Sequence, residues 1–103
     1  MKNAVPVLST TLCWLVGCAS QPMAASDVAA AERAIAQAAR SGAAERAPRE
    51  MRLAQEKMAL TRRWLAAGDP VPAHWLAQQA QVDAELAAVK AARAATRKIA
   101  ARP

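Results

Sequence analysis

Two cysteines, Cys13 and Cys18, a single histidine, His74, and the close carboxylates Asp83 and Glu85 are the side chains whose types invite a chemical role. A thiolate is a nucleophile, an imidazole a base or metal ligand, and paired carboxylates can share acid and base work. Both cysteines fall within the first 18 residues, so everything after Cys18 is without a thiol and has no internal disulfide or cysteine metal site. His74 lies beside Pro72 and Trp75 at a helix start, and zinc would require several further nitrogen or sulfur donors. A solvated or turn-packing histidine is therefore expected. Asp83 and Glu85 are two apart on a predicted helix and point in different directions, which argues against an acid and base pair. The three glycines, Gly17, Gly42 and Gly68, form no phosphate-cradling loop. No catalytic set, cofactor or metal is expected.

Cys18 stands apart because of what precedes it. Lys2 gives a short positive region, and Ala4 to Val16 form an almost uncharged, mostly apolar stretch. That stretch is well short of the roughly 20 residues a helix needs to span a bilayer, so residues 1–17 read as an export signal to be removed. Its end, Leu15-Val16-Gly17-Cys18, resembles a bacterial lipobox. There the small Gly17 fits the peptidase site, and the Cys18 thiol accepts a diacylglyceryl group before becoming the first residue of the mature protein. The competing reading is a chance cysteine in an ordinary signal or in a fortuitously apolar N-terminus. Cys13 follows Leu12, where a small residue is wanted. Two or three acyl chains, at about 0.8 kcal/mol per buried CH₂, give stable anchoring where one gives only marginal binding. Ala19 is not the Asp that retains lipoproteins in the inner membrane of enteric-type bacteria, so an outer-membrane anchor facing the periplasm is expected.

The elements that must carry this address are helical. Phe and Tyr are absent, Ile and Thr are scarce, and Ala, Leu, Glu, Gln and Arg dominate. Without the signal, 86 of the 103 residues remain, enough for one small domain with a thin core. The expected fold is all-α, either a small three-helix bundle or a long helical hairpin with an extra N-terminal helix, spanning 27–103. Residues 18–26, the lipidated cysteine with Ser20, Gln21 and Pro22, suit a flexible tether.

Ser26 is placed to cap helix one, with Asp27 in its first turn, Val28, Ala31, Ile35 and Ala38 at helical spacing, and Ser41-Gly42 ending it. Pro48 suits the first turn of helix two, about Pro48 to Ala67. That helix has two apolar stripes, Met51, Ala54, Met58 and Leu65 on one and Leu53, Leu60 and Trp64 on the other. Two stripes predict a middle helix burying both. Gly68 stops it, Asp69-Pro70-Val71-Pro72 makes a rigid turn, and Pro72 begins helix three, which runs to about Ile99. Trp75, Gln79, Val82, Leu86 and Val89 follow at coiled-coil-like steps, predicting the packed side of that helix. Trp64 and Trp75 flank the Gly68 turn and are expected in the core.

Fourteen Lys and Arg against eight Asp and Glu give a formal charge of +6, or +5 once Lys2 leaves with the signal. Beyond Val89 the apolar stripe fades into Lys90, Arg93, Arg97, Lys98 and Arg102 with no acidic residue among them. This is an ordinary cationic helix end, favoured by the macrodipole, or a contact surface for an anionic envelope component.

The pieces Ala31-Glu32-Arg33-Ala34-Ile35, Ala47-Pro48, Leu53-Ala54, Glu56-Lys57, Ala67-Gly68-Asp69, Leu76-Ala77 and Val82-Asp83-Ala84-Glu85-Leu86-Ala87 together resemble the domain of unknown function 4398. The resemblance spans about Val28 to Ala91 and implies the build of that family: lipoprotein signal, short tether, then a helical domain. Some members continue into a peptidoglycan-binding domain of the outer-membrane-protein-A type, which is not carried over here. Arg46 stands where the family often has an aromatic residue, and Pro70 where Tyr is common. The resemblance implies a fold and an address, and no established activity.

Three functional expectations remain open. The first is a non-enzymatic envelope lipoprotein whose helices bind another envelope protein or self-associate. The second is an electrostatic binder of lipopolysaccharide, anionic lipid or cell-wall polymer through the basic end. The third, a cytosolic nucleic-acid binder, lacks interleaved aromatic and basic residues, a zinc pattern and a recognition helix, so nucleic acid is not an expected partner.

Overall fold

The computed structural model describes residues 23–101, and these form four helices: α1 Met23–Arg40, α2 Ala43–Arg46, α3 Pro48–Ala66 and α4 Pro70–Ala100. The described part is all-α. The segment 1–22, which carries the expected signal, lipobox and most of the tether, lies outside the described residues, as does Arg102.

α1 starts three residues before Ser26, so the expected tether gives up Met23 to Ser26 to the helix. Ala24 and Ala25 are strong helix formers, and Ala24 is buried, which stabilises the additional turn. The helix ends as expected at Ser41-Gly42. Gly42 takes φ +81°, a left-handed conformation that costs a residue with a Cβ, and its N–H donates to the Ala39 carbonyl at 3.1 Å. The single-turn α2 that follows was not foreseen, and its anchors are the buried methyls of Ala43 and Ala47.

Pro48 opens α3 at its first turn. At the other end the N–H of Asp69 reaches the Trp64 carbonyl at 2.9 Å, and the N–H of Gly68 reaches that of Leu65 at 3.0 Å, with Gly68 at φ +82°. These two bonds form a Schellman motif that satisfies the last carbonyls of α3. α4 then starts at Pro70, two residues earlier than the expected Pro72. Asp69 caps it by accepting the Val71 N–H at 3.3 Å. Pro70 and Pro72 both fit the first turn, where the N–H they lack has no intrahelical partner.

α3 runs antiparallel to α4, and two ion pairs fix the register: Lys57 to Asp83 at 2.7 Å and Glu50 to Lys90 at 3.2 Å. Seven residues forward along α3 are seven residues back along α4. α1 lies parallel to α4, with Asp27 paired to His74 near one end and Ala38 clustered with Ala84, Ala87 and Ala91 toward the other. A second cluster brings Ala31 to Met58, Ala77 and Ala80.

The central helix is α4, which packs extensively on both α1 and α3. This overturns the expectation that helix two would be the middle one. Met51, Ala54 and Met58 are buried as expected, but Leu65, Leu53, Leu60 and Trp64 are exposed. The expected packed side of helix three is also overturned. The buried side is Ala73, Ala77, Ala80, Ala84, Ala87 and Ala91, whereas Trp75, Gln79, Val82, Leu86 and Val89 are exposed. The alanines keep the steps of four and three that mark a packed seam. Their small size allows two neighbouring backbones to approach α4 at once, toward the short end of the 8–10 Å range of helix separations.

Candidate functional site

Winding α4 at 100° per residue puts Trp75, Val82, Leu86 and Val89 roughly 180° from the alanine seam. α1 occupies one side of the α3–α4 hairpin, and the large apolar side chains stand on the other. On α3 the exposed Leu53, Leu60 and Trp64 flank Lys57, which reaches across to Asp83. A shallow groove bordered by Lys57, Trp75, Gln79, Val82 and Asp83 runs between the two helices on this face. The outer face is therefore two apolar rows, one per helix, with ion pairs between them. Val82 is 64 % exposed and Trp75 57 %.

Trp64 and Trp75, expected in the core, belong to these rows. The imidazole of His74 meets the Trp75 ring edge-on, with centroids 5.0 Å apart. His74 itself is turned inward, its Nδ1 paired with a carboxylate oxygen of Asp27, and both side chains are largely buried. His74, expected to be solvated or packed on the turn, instead ties α1 to α4. Asp83 and Glu85 diverge as expected: Asp83 meets Lys57, while Glu85 borders a shallow cleft beside Arg33 and Arg40 of α1.

The expected basic surface is only partly free. Lys90 is held by Glu50, a mostly buried carboxylate that needs a cation beside it. Arg93, Arg97 and Lys98 are exposed on the last turns of α4 and make no ion pair among the described residues. Arg40, Arg46 and Arg49 lie at the same end, because α1 ends and α3 begins there. These three were not among the expected basic residues, because only the chain reversal between α1 and α3 brings them to this end. Cys18 with Leu15, Val16 and Gly17 lies outside the described residues, as does Arg102. Among the described residues no three His, Cys, Asp or Glu side chains come together as a metal cluster would require. No described helix is long and apolar enough to cross a membrane.

The model of the family described as "Domain of unknown function (DUF4398)" matches residues 26–103, about three quarters of the chain. This chain belongs to the DUF4398 family. The match takes in α4 and nearly all of α1, so the alanine seam and both apolar rows lie inside the DUF4398 domain. No curated protein and no solved structure matches the chain significantly.

Proposed function

We propose that the chain is the precursor of a bacterial envelope lipoprotein, cut before Cys18 and held by lipid on that residue. Its DUF4398 helical domain acts by binding protein rather than by catalysis. The observation that carries the binding role is the outer face of the α3–α4 hairpin. A small domain that leaves two tryptophans, three leucines and two valines in facing rows exposes far more contiguous apolar surface than scattered surface residues would. The address rests on the Leu15-Val16-Gly17-Cys18 sequence behind an uncharged apolar stretch. Ala19, in place of the Asp that retains lipoproteins in the inner membrane of enteric-type bacteria, supports an outer-membrane position facing the periplasm.

Two measurements on protein from its native membrane test this reading. Intact mass with peptide mapping is expected to show an N-terminus at diacylated or triacylated Cys18, and an unprocessed chain in the cytosol would defeat the address. Crosslinking in the intact envelope is expected to capture protein through the α3–α4 face. A chain that stays uncrosslinked at every position on that face would defeat the binding role.

A second reading is favoured by the gathering of Arg40, Arg46 and Arg49 with Arg93, Arg97 and Lys98. This cationic tip would touch an anionic envelope component. α1 begins at the opposite end of the bundle, and His74 and Arg97 are about 35 Å apart along α4 at 1.5 Å per residue. A tether entering at α1 therefore leaves the tip reaching away from the anchor, which favours cell-wall polymer over the lipid head groups beside it. Binding of purified cell-wall polymer is expected to fall with salt and with neutralisation of Arg93, Arg97 and Lys98. Binding indifferent to both would remove this reading.

A further inference from the structure

We propose that the outer face of the α3–α4 hairpin is a self-association surface and that its occupant is a second copy of this chain. The two copies are related by a two-fold axis running along the hairpin. The proposal deepens the protein-binding reading and rests on it.

Area is the first support. Leu53, Leu60 and Trp64 on α3 with Trp75, Val82 and Leu86 on α4 together expose roughly 600 Å², and two such faces approach the lower bound of about 1,200 Å² for a stable interface. The flanking polar side chains extend it further. Two hairpins meeting face to face give a four-helix layer, the geometry that exposed apolar rows on adjacent helices are suited to complete.

Charge complementarity favours a second copy as the partner, and the position of the anchors selects the axis. The chain is formally +6, and +5 without the signal, so two copies repel except through a face whose charges balance. The groove between the apolar rows meets that condition, because its lysines are matched by Asp83 and Glu50. The register places Lys57 and Asp83 at one height on the hairpin and Glu50 and Lys90 at another. A two-fold along the hairpin sets α3 against the partner's α4 without changing height. Lys57 then faces the partner's Asp83, and Glu50 faces the partner's Lys90. Both ion pairs become alternating four-charge clusters at the interface. A two-fold across the hairpin, centred between Glu50 and Lys57, would match these charges as well, setting Lys57 on the partner's Glu50, so the placement of the anchors decides between the axes. The axis along the hairpin leaves both α1 starts at one end, so two lipid anchors reach one membrane. Leu53 and Leu86 stand at nearly one height by the same register, so Leu53 meets the partner's Leu86.

The full chain, purified from membranes in detergent, tests this. Sedimentation is expected to show a dimer, and V82E is expected to weaken it at least about 100-fold, because a carboxylate would be buried without a partner. Val82 is exposed in the single copy, so helical content by circular dichroism is expected to be unchanged. Two differently tagged copies, one L53C and one L86C, are then expressed together, with the unsubstituted chain setting the thiol background. A disulfide-linked heterodimer is expected at least about five-fold above the self-linked product of either variant. The proposal is overturned by a monomer at all concentrations, by a dimer indifferent to V82E, by preferential L53C self-linkage, or by V82E abolishing vesicle binding of a monomeric chain. A dimer whose Cys18 carries no lipid would uphold this proposal and defeat the anchor. A lipidated monomer that captures another envelope protein would do the reverse.

Discussion

Gly68 shows how much a single backbone conformation carries in this chain. It sits at φ +82° with nothing within 4 Å of where a Cβ would stand, so Gly68→Ala meets conformational strain and no clash. A cost of about 1–2 kcal/mol is expected, with Gly68→Asn less costly because Asn tolerates the left-handed region. Chemical denaturation of the two variants checks the ranking. The ion pairs rank by burial in the same way. The Lys57 and Asp83 side chains are 27 % and 19 % exposed, so Lys57→Ala strands a largely buried carboxylate and is expected to cost about 1–3 kcal/mol. Arg62 meets Glu32 at 3.5 Å on open surface, and Arg62→Ala is expected to change stability by less than about 0.5 kcal/mol. Comparable losses for Lys57→Ala and Arg62→Ala would contradict the register assigned to α3 and α4.

At the level of the helix, α4 separates the two properties that an apolar pattern ordinarily joins, spacing and size. Its seam is alanine and its large side chains face outward, so substitution has opposite consequences on its two sides. Ala84→Leu drives a large side chain between closely set backbones and is expected to cost about 1–3 kcal/mol or more. Leu86→Ala, two residues away, is expected to change the stability of the dilute monomer by less than about 0.5 kcal/mol. Thermal melts of both variants at low concentration test the contrast. This division also explains what the sequence made legible. Gly42, Pro48 and Gly68 act locally through φ and missing donors, so the ends of α1 and α3 could be read from them. The buried side of α4 could not, because Trp75, Val82 and Leu86 satisfy helical spacing as well as the alanines do. Only the presence of two neighbouring helices makes small residues the better fit. The basic tip was half legible: Arg93, Arg97 and Lys98 are adjacent in sequence, whereas Arg40, Arg46 and Arg49 join them through the fold, and Lys90 is taken by Glu50.

Across the whole molecule, charge and apolar surface are divided between regions. The cationic tip lies at one end, the start of α1 at the other, and the apolar rows along the flank between them. Replacing Arg93, Arg97 and Lys98 with Gln is therefore expected to leave sedimentation unchanged while reducing the salt-sensitive retention on an anionic resin, and a shift in both would mean that tip and flank are one surface. The alanine seam has a thermal consequence as well. An alanine loses no rotamer freedom on burial and removes little apolar surface from water. Unfolding the single copy should release less hydration heat capacity than the usual ~12–15 cal/mol/K per residue, giving a shallow stability curve without sharp loss on cooling. Covering the tryptophan and leucine rows adds at most roughly 600 Å² of burial per copy to what folding has already buried. Calorimetry should accordingly find a further negative heat-capacity change on association, about 0.3 kcal/mol/K per copy, so that cooling weakens the pairing of the copies while each stays folded.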